Sequence, residues 1–201
     1  MKVAKQLEEF ETNIKDTERK KGRKYISLIE IALNQLACSD YPAVIKQYDE
    51  LVIPKKIHYC WFGKGEKPDL VKHNIEKWKK LCPDYEIIEW NESNYDVTKN
   101  EYMKQAYENK KWGFVPDYAR LDIIYNHGGI YLDTDVELKK SFDKFLKHHA
   151  FFGFENGDVV NTGSGFGAEK NSEFVKKIMN QYNEISFKKK DGTYDLTPCP
   201  T

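Results

Sequence analysis

The sequence predicts an α/β fold around a central, mostly parallel sheet. Two observations carry that expectation. Residues 56–62, 68–81 and 85–90 read in order as an apolar β-rich run, an amphipathic helix and a second β-rich run, and strand–helix–strand alternation favours parallel pairing. Residues 114–132 then read as a helix, a glycine stop and a short buried strand.

Taken in order, residues 1–50 form a helical N-terminal extension. Val3, Leu7, Phe10 and Ile14 have amphipathic spacing. Ile26, Ile29, Ile31, Leu33 and Leu36 mark a second, more apolar helix. The basic run Arg19 to Lys24 between them reads as a solvated bend, with a weak membrane-surface role as the alternative. Residues 51–201 form the main domain. Its first strand, 56–62, ends at Gly63 and Gly65, with Trp61 at the C-terminal edge, where open α/β sheets bind ligands. His58, among apolar neighbours, reads as internal to the strand. In the helix at 68–81, Leu70, Ile75, Trp78 and Leu81 mark the buried side. A further helix spans 101–111.

The centre of the chain is the stretch from Phe114 to Glu137. Pro116 suits a first helical turn. Leu121, Ile124 and Tyr125 form the expected buried stripe, and Asp117 and Arg120, three apart, are neighbours on the helix surface. Gly128 and Gly129 stop the helix. Ile130-Tyr131-Leu132 then delivers Asp133 and Asp135 at a strand end. Side chains two apart on a strand share a face, so the two carboxylates can converge on a hard cation such as Mg2+ or Mn2+, which bridges readily to phosphate oxygens. An Asp-x-Asp pair alone is a common solvated turn; the preceding helix and glycines give this one its weight. Beyond it, 136–138 reads as continuing strand, 141–146 as a helical turn, 150–154 as a buried strand and 159–167 as a glycine-dense strand or loop holding Asn161. Residues 171–185 read as a helix with Phe174, Ile178 and Tyr182 inward.

The motifs Asp117-Tyr118-Ala119-Arg120, Gly128-Gly129-Ile130-Tyr131-Leu132-Asp133-Thr134-Asp135 and the upstream segment 53–63 together resemble the sugar transferases of glycosyltransferase family 32. That family holds capsular-polysaccharide enzymes and yeast initiating mannosyltransferases. The pattern is also similar to the glucosylating domains of large clostridial toxins. The resemblance implies a GT-A-type, Rossmann-like nucleotide-sugar fold over residues 51–201. It implies transfer of a hexose from a UDP- or GDP-sugar to a glycan, lipid-linked or protein acceptor, with retention of configuration. It implies Mn2+ or Mg2+ on Asp135, with Asp133 reaching the metal through water or binding sugar hydroxyls. It implies Trp61 against the nucleotide base, Tyr131 flanking the nucleotide, and Asp117 and Arg120 gripping the donor sugar. A purely structural Asp117–Arg120 bridge is the alternative for that pair. Asn161 faces donor or acceptor, or caps a turn. The resemblance further implies more sequence after Thr201, so the domain is expected to be partial, and a non-catalytic nucleotide-sugar binder is the second reading.

Composition narrows the field. Lys+Arg and Asp+Glu are both 32, so no basic excess points to nucleic acid. No apolar run approaches the ~20 residues a membrane span needs, and the N-terminus lacks a signal-peptide core. The 4 cysteines, Cys38, Cys60, Cys82 and Cys199, form no C-x-x-C pair and read as reduced thiols of a cytoplasmic protein, peripheral at the inner membrane as the alternative. A glycosidase reading of Asp133 and Asp135 is weaker, because such carboxylates flank the bond from opposite sides, ~5 Å or more apart. A calcium-loop reading is poor because the twelfth position from Asp133 is Lys144, not Glu.

Overall fold

The computed structural model describes residues 50–155 and 159–196. The two helices expected within residues 1–50 lie outside them, apart from Glu50. A five-stranded sheet organises the described residues, in the order β2-β1-β3-β5-β4. The strands are β1 (Lys56–Cys60), β2 (Glu86–Trp90), β3 (Gly129–Tyr131), β4 (Ala150–Glu155) and β5 (Val159–Ala168). Four helices flank them: α1 (Asp69–Leu81), α2 (Glu101–Glu108), α3 (Val115–His127) and α4 (Glu173–Gln181).

The sheet is mixed rather than mostly parallel. β1 pairs parallel with both β2 and β3. β5 runs antiparallel to β3 and to β4. The parallel half follows from the crossover helices between β1, β2 and β3. The other half departs from the expectation because β4 and β5 are joined by only a few residues, too few for a crossover, so they pair as a hairpin. Residues 136–138 are not strand either. The chain turns after the aspartates, with the Val136 N–H bonded to the Asp133 carbonyl at 3.0 Å.

Side chains alternate across the sheet and build one core on each face. Ile57 and Tyr59 of β1, Ile130 of β3 and Phe151 of β4 pack with α1 through Val71, Ile75 and Trp78. Cys60, Tyr131, Phe152 and Phe166 pack on the other face with α2, α3 and α4. α3 is buried almost all round, from Val115 to Ile124 apart from Pro116. That explains why both Asp117 and Arg120 lie inside the protein and not on its surface. Two expected core positions differ. Leu70 is 61% exposed and Phe174 41% exposed, because Val71 and Val175, one residue on in each helix, take the inward places.

Gly128 ends α3 with φ 64, its N–H bonded to the Ile124 carbonyl at 2.8 Å. Gly129 follows with φ 108, and a Cβ there would lie 2.8 Å from the Lys56 carbonyl oxygen. The glycine pair therefore ends the helix and also lets β3 close against β1.

His58 sits at the centre of β1 with no exposed surface. Its Nε2 bonds the Gly128 carbonyl at 2.9 Å, and its Nδ1 accepts from the Trp90 indole N–H at 3.0 Å. The ring is therefore internal to the fold, as the sequence indicates, and neutral with its proton on Nε2. Burial lowers its pKa to about 4, with the Gly128 contact opposing and His127 and Lys56 assisting. The unfolded chain takes up the proton near pH 6.5, well before the folded one. Stability is thus unaffected above that pH and falls as the pH drops from 6.5 towards 4, by about 3 kcal/mol for this residue. Urea unfolding of wild type and His58→Gln between pH 4.5 and 7 should show the variant with the flatter profile. Identical slopes would remove His58 as the cause.

Candidate functional site

The site lies where the C-terminal ends of β1 and β3 meet. A cavity of about 450 Å³ opens there, between the Gly63–Gly65 loop after β1 and the turn after β3. Pockets of a few hundred Å³ suit nucleotide-sized ligands. Trp61, Trp112, Tyr131, Asp133 and Asp135 all contribute to its wall. Among the described residues no lysine, arginine or histidine lines it.

Asp133 and Asp135 share this cavity through a turn and not through strand alternation, because β3 ends at Tyr131. Helix α1 fixes that turn. Asn74, 2% exposed, donates from Nδ2 to the Thr134 carbonyl at 3.0 Å, and Trp78 Nε1 donates to the Val136 carbonyl at 3.1 Å. A buried amide and indole thus take up backbone oxygens that strand pairing would otherwise satisfy. Asn74 escaped the sequence reading because a lone asparagine in an amphipathic helix has no motif around it.

The two carboxylates differ. Asp135 is exposed at the rim. Asp133 is two-thirds buried, and its Oδ1 accepts from the Tyr131 hydroxyl at 3.0 Å and lies 3.6 Å from an Arg120 nitrogen. Burial raises the Asp133 pKa, opposed by Arg120 and Tyr131 and reinforced by Asp135.

Behind this wall lies a buried polar cluster. Asp117 and Arg120 are each 4% exposed, pair at 2.7 Å, and do not reach the cavity surface. Arg120 also donates from Nε to the Pro116 carbonyl at 3.1 Å and lies over the Tyr131 ring, 5.2 Å from its centroid. Burial pushes the Asp117 carboxyl up to about 6 although Arg120 pulls it down, with Asp133 adding to the rise. One guanidinium therefore holds two carboxylates, one beneath the cavity and one in its wall. Tyr131 is 1% exposed. Trp61 is half-buried, its indole N–H donating to the Gly65 carbonyl at 2.7 Å. Asn161 pairs with Gly153 in the β4–β5 ladder, and its side chain lies outside the described residues. Trp112, in the turn before α3, also lines the cavity, and no motif announced it.

A divalent cation fits two carboxylates of this kind. Among the described residues no group of three His, Cys, Asp or Glu side chains converges. Mg2+ and similar ions commonly use one or two carboxylates and complete their shell with substrate phosphates and water. Asp135 and the second oxygen of Asp133 are the groups that would hold it.

Comparison with known proteins bears on the fold and on the kind of region this is. Residues 68–152 match the family described as glycosyltransferase sugar-binding region containing DXD motif. The chain is 32% identical over 147 residues to inositol phosphoceramide mannosyltransferase 3 of Schizosaccharomyces pombe, covering 67% of this chain and 38% of that protein. It is 25% identical over 150 residues to inositol phosphoceramide mannosyltransferase 1 of the same yeast, covering 67% and 44%. Among solved structures it is similar to the PaToxG glycosyltransferase, with a TM-score of 0.53 at 20% identity, covering 64% of this chain and 59% of the other. That last likeness bears on the fold alone. Residues 68–152 thus resemble the DXD-containing sugar-binding regions of diverse glycosyltransferases, and the fold is GT-A-like. The chain spans about two fifths of the length of the two yeast relatives. Among the described residues no helix is long and apolar enough to cross a membrane.

Proposed function

We propose that this chain carries the donor site of a metal-dependent hexosyltransferase of the family 32 kind. It would use a nucleotide-diphosphate sugar, UDP- or GDP-linked, and transfer with retention. The carrying observation is the cavity lining: two aspartates on a turn tied to α1, two indoles and, among the described residues, no basic side chain. A diphosphate facing carboxylates alone is repelled, so an anionic ligand there calls for a cation. Bound Mn2+ or Mg2+ would supply charge neutralisation of the departing diphosphate.

Asp135 and Asp133 hold that cation, with Asp133 aimed by Tyr131 and Arg120. Trp61 offers an indole face to the base. Asp117, beneath the cavity, keeps Arg120 in place for Asp133; this positioning role fits their burial better than direct grip of the donor sugar. The acceptor oxygen bonds to the anomeric carbon as the bond to the diphosphate breaks, and the diphosphate oxygen takes the electron pair and the acceptor proton. The acceptor is a glycan, a lipid-linked glycan or a protein hydroxyl. The relatives' names add an inositol phosphoceramide headgroup to the first acceptors worth assaying, alongside capsular-type glycans.

Calorimetric titration of the chain with UDP- and GDP-sugars, with and without Mn2+, tests this. One donor should bind only with metal, and its slow hydrolysis should follow. Equal binding in the presence of chelator would refute the metal role. Binding without hydrolysis or transfer would favour a non-catalytic donor-binding domain.

A further inference from the structure

The part of the cavity wall formed by the loop after β1 and by Trp112 is keyed by Glu92. This side chain follows β2 and lies outside the aspartate turn. Its Oε1 accepts from the Gly63 N–H at 2.7 Å and from the Tyr107 hydroxyl at 3.1 Å. One carboxylate thus joins the loop after β1 to the C-terminal end of α2. Burial opposes its ionisation, but the Gly63 N–H and the Tyr107 hydroxyl hold its pKa below the ordinary value, so both bonds are charge-assisted at neutral pH.

Trp112 lies on the parts Glu92 joins. Its indole meets the Tyr107 ring edge-on at 5.1 Å. It also covers Gly63 so closely that a Cβ there would lie 2.8 Å from Trp112 Cε2. Gly63 and Lys64 both have left-handed backbone, φ 93 and 58, a conformation that costs a lysine about a kcal/mol or more and persists only when neighbours hold it. The loop is therefore strained, tied at Gly63 by Glu92 and at Gly65 by Trp61. Trp112 is 36% exposed and presents that surface to the cavity.

We propose that Glu92 is a positioning residue that holds the Gly63–Gly65 loop and the Trp112 indole as one wall of the donor cavity, continuous with Trp61 through its bond to Gly65, the wall against which the nucleotide's planar base docks. The ligand part of this inference rests on the donor reading above; the positioning part does not. Removing the carboxylate frees the loop to relax and the indole to turn away. The amide of glutamine keeps an oxygen acceptor and so keeps the wall.

Two measurements on the whole chain test the idea. The first is acrylamide quenching of tryptophan fluorescence without ligand, with Trp112→Phe identifying the exposed indole's share. Glu92→Ala should raise the quenching of that share, and Glu92→Gln should restore it. The second is calorimetric affinity for UDP and GDP with Mn2+. Glu92→Ala should weaken the nucleotide that binds by about tenfold, and Glu92→Gln by no more than about threefold. Gly63→Ala, which pushes on the indole from beneath, should weaken it as Glu92→Ala does; should Glu92→Ala not fold, this variant serves in its place. Unchanged quenching in Glu92→Ala overturns the positioning. Unchanged affinity in a variant with raised quenching overturns the base-docking role. If wild type binds neither nucleotide while quenching still responds, the donor reading fails and the base-docking role with it, and the wall stands as structural positioning alone.

Discussion

Asp135→Asn is expected to abolish Mn2+-dependent donor binding and lower transfer by about a hundredfold or more, the usual loss when a group serving developing charge is removed. The substitution keeps the shape and one oxygen but removes the charge. Asp135 is exposed and makes no salt bridge among the described residues, so stability should change by no more than about 0.5 kcal/mol. That pairing of a large functional loss with a small structural one distinguishes a metal ligand from a fold element. Asp133→Asn should differ. It removes the charge that pairs with Arg120 and weakens the acceptor for Tyr131, so it loses both function and stability. The decisive comparison is donor affinity with and without chelator in wild type and Asp135→Asn. A variant that still binds the best donor as tightly, and still loses it to chelator, would show that the ion sits elsewhere.

Much of this site is legible in the sequence, for a physical reason. A helix with Pro116 in its first turn, the Gly128-Gly129 stop and the apolar run 130–132 are local signals, and each sits within a few residues of the carboxylates it positions. The structure reproduces them in order as α3, β3 and the aspartate turn. What escaped is non-local. Periodicity marks β4 and β5 as strands but carries no direction, so the antiparallel half of the sheet was invisible. Residues 136–138 have strand-like composition, yet Trp78 claims the Val136 carbonyl across the sheet face and the Val136 N–H closes a turn. The Asp117–Arg120 pair has helix-surface spacing, but α3 is buried on nearly every side, and only packing reveals that. Trp112 and Glu92 come together from turns twenty residues apart, so neither belongs to any run that could have announced it.

Arg120→Ala is expected to cost about 3–5 kcal/mol of folding stability, the loss seen when one partner of a buried ion pair is removed. The guanidinium is 5% exposed in its side chain and faces Asp117 at 2.7 Å and Asp133 at 3.6 Å. Its removal leaves the buried Asp117 carboxylate beside the Tyr102 hydroxyl and the partly buried Asp133 beside the Tyr131 hydroxyl, both without their cation. The sign of the pH effect follows. Asp117 is already raised to about 6 by burial, and losing the cation raises it further. A carboxyl with a folded pKa above its unfolded value takes up its proton first in the folded state, so the variant should regain stability as the pH falls from 7 to 5. Wild type over the same range loses the ionised pair and gains less. Urea unfolding at pH 7 and pH 5 measures the deficit, which should be smaller at the lower pH. Arg120→Met combined with Asp117→Leu should recover much of the loss, because replacing both members with apolar groups removes the uncompensated charge. A deficit below about 1 kcal/mol would class the pair with exposed bridges. In the stable double variant Asp133 keeps Tyr131 but loses its cation, so weakened donor binding in a folded protein would show that Arg120 serves the cavity through Asp133.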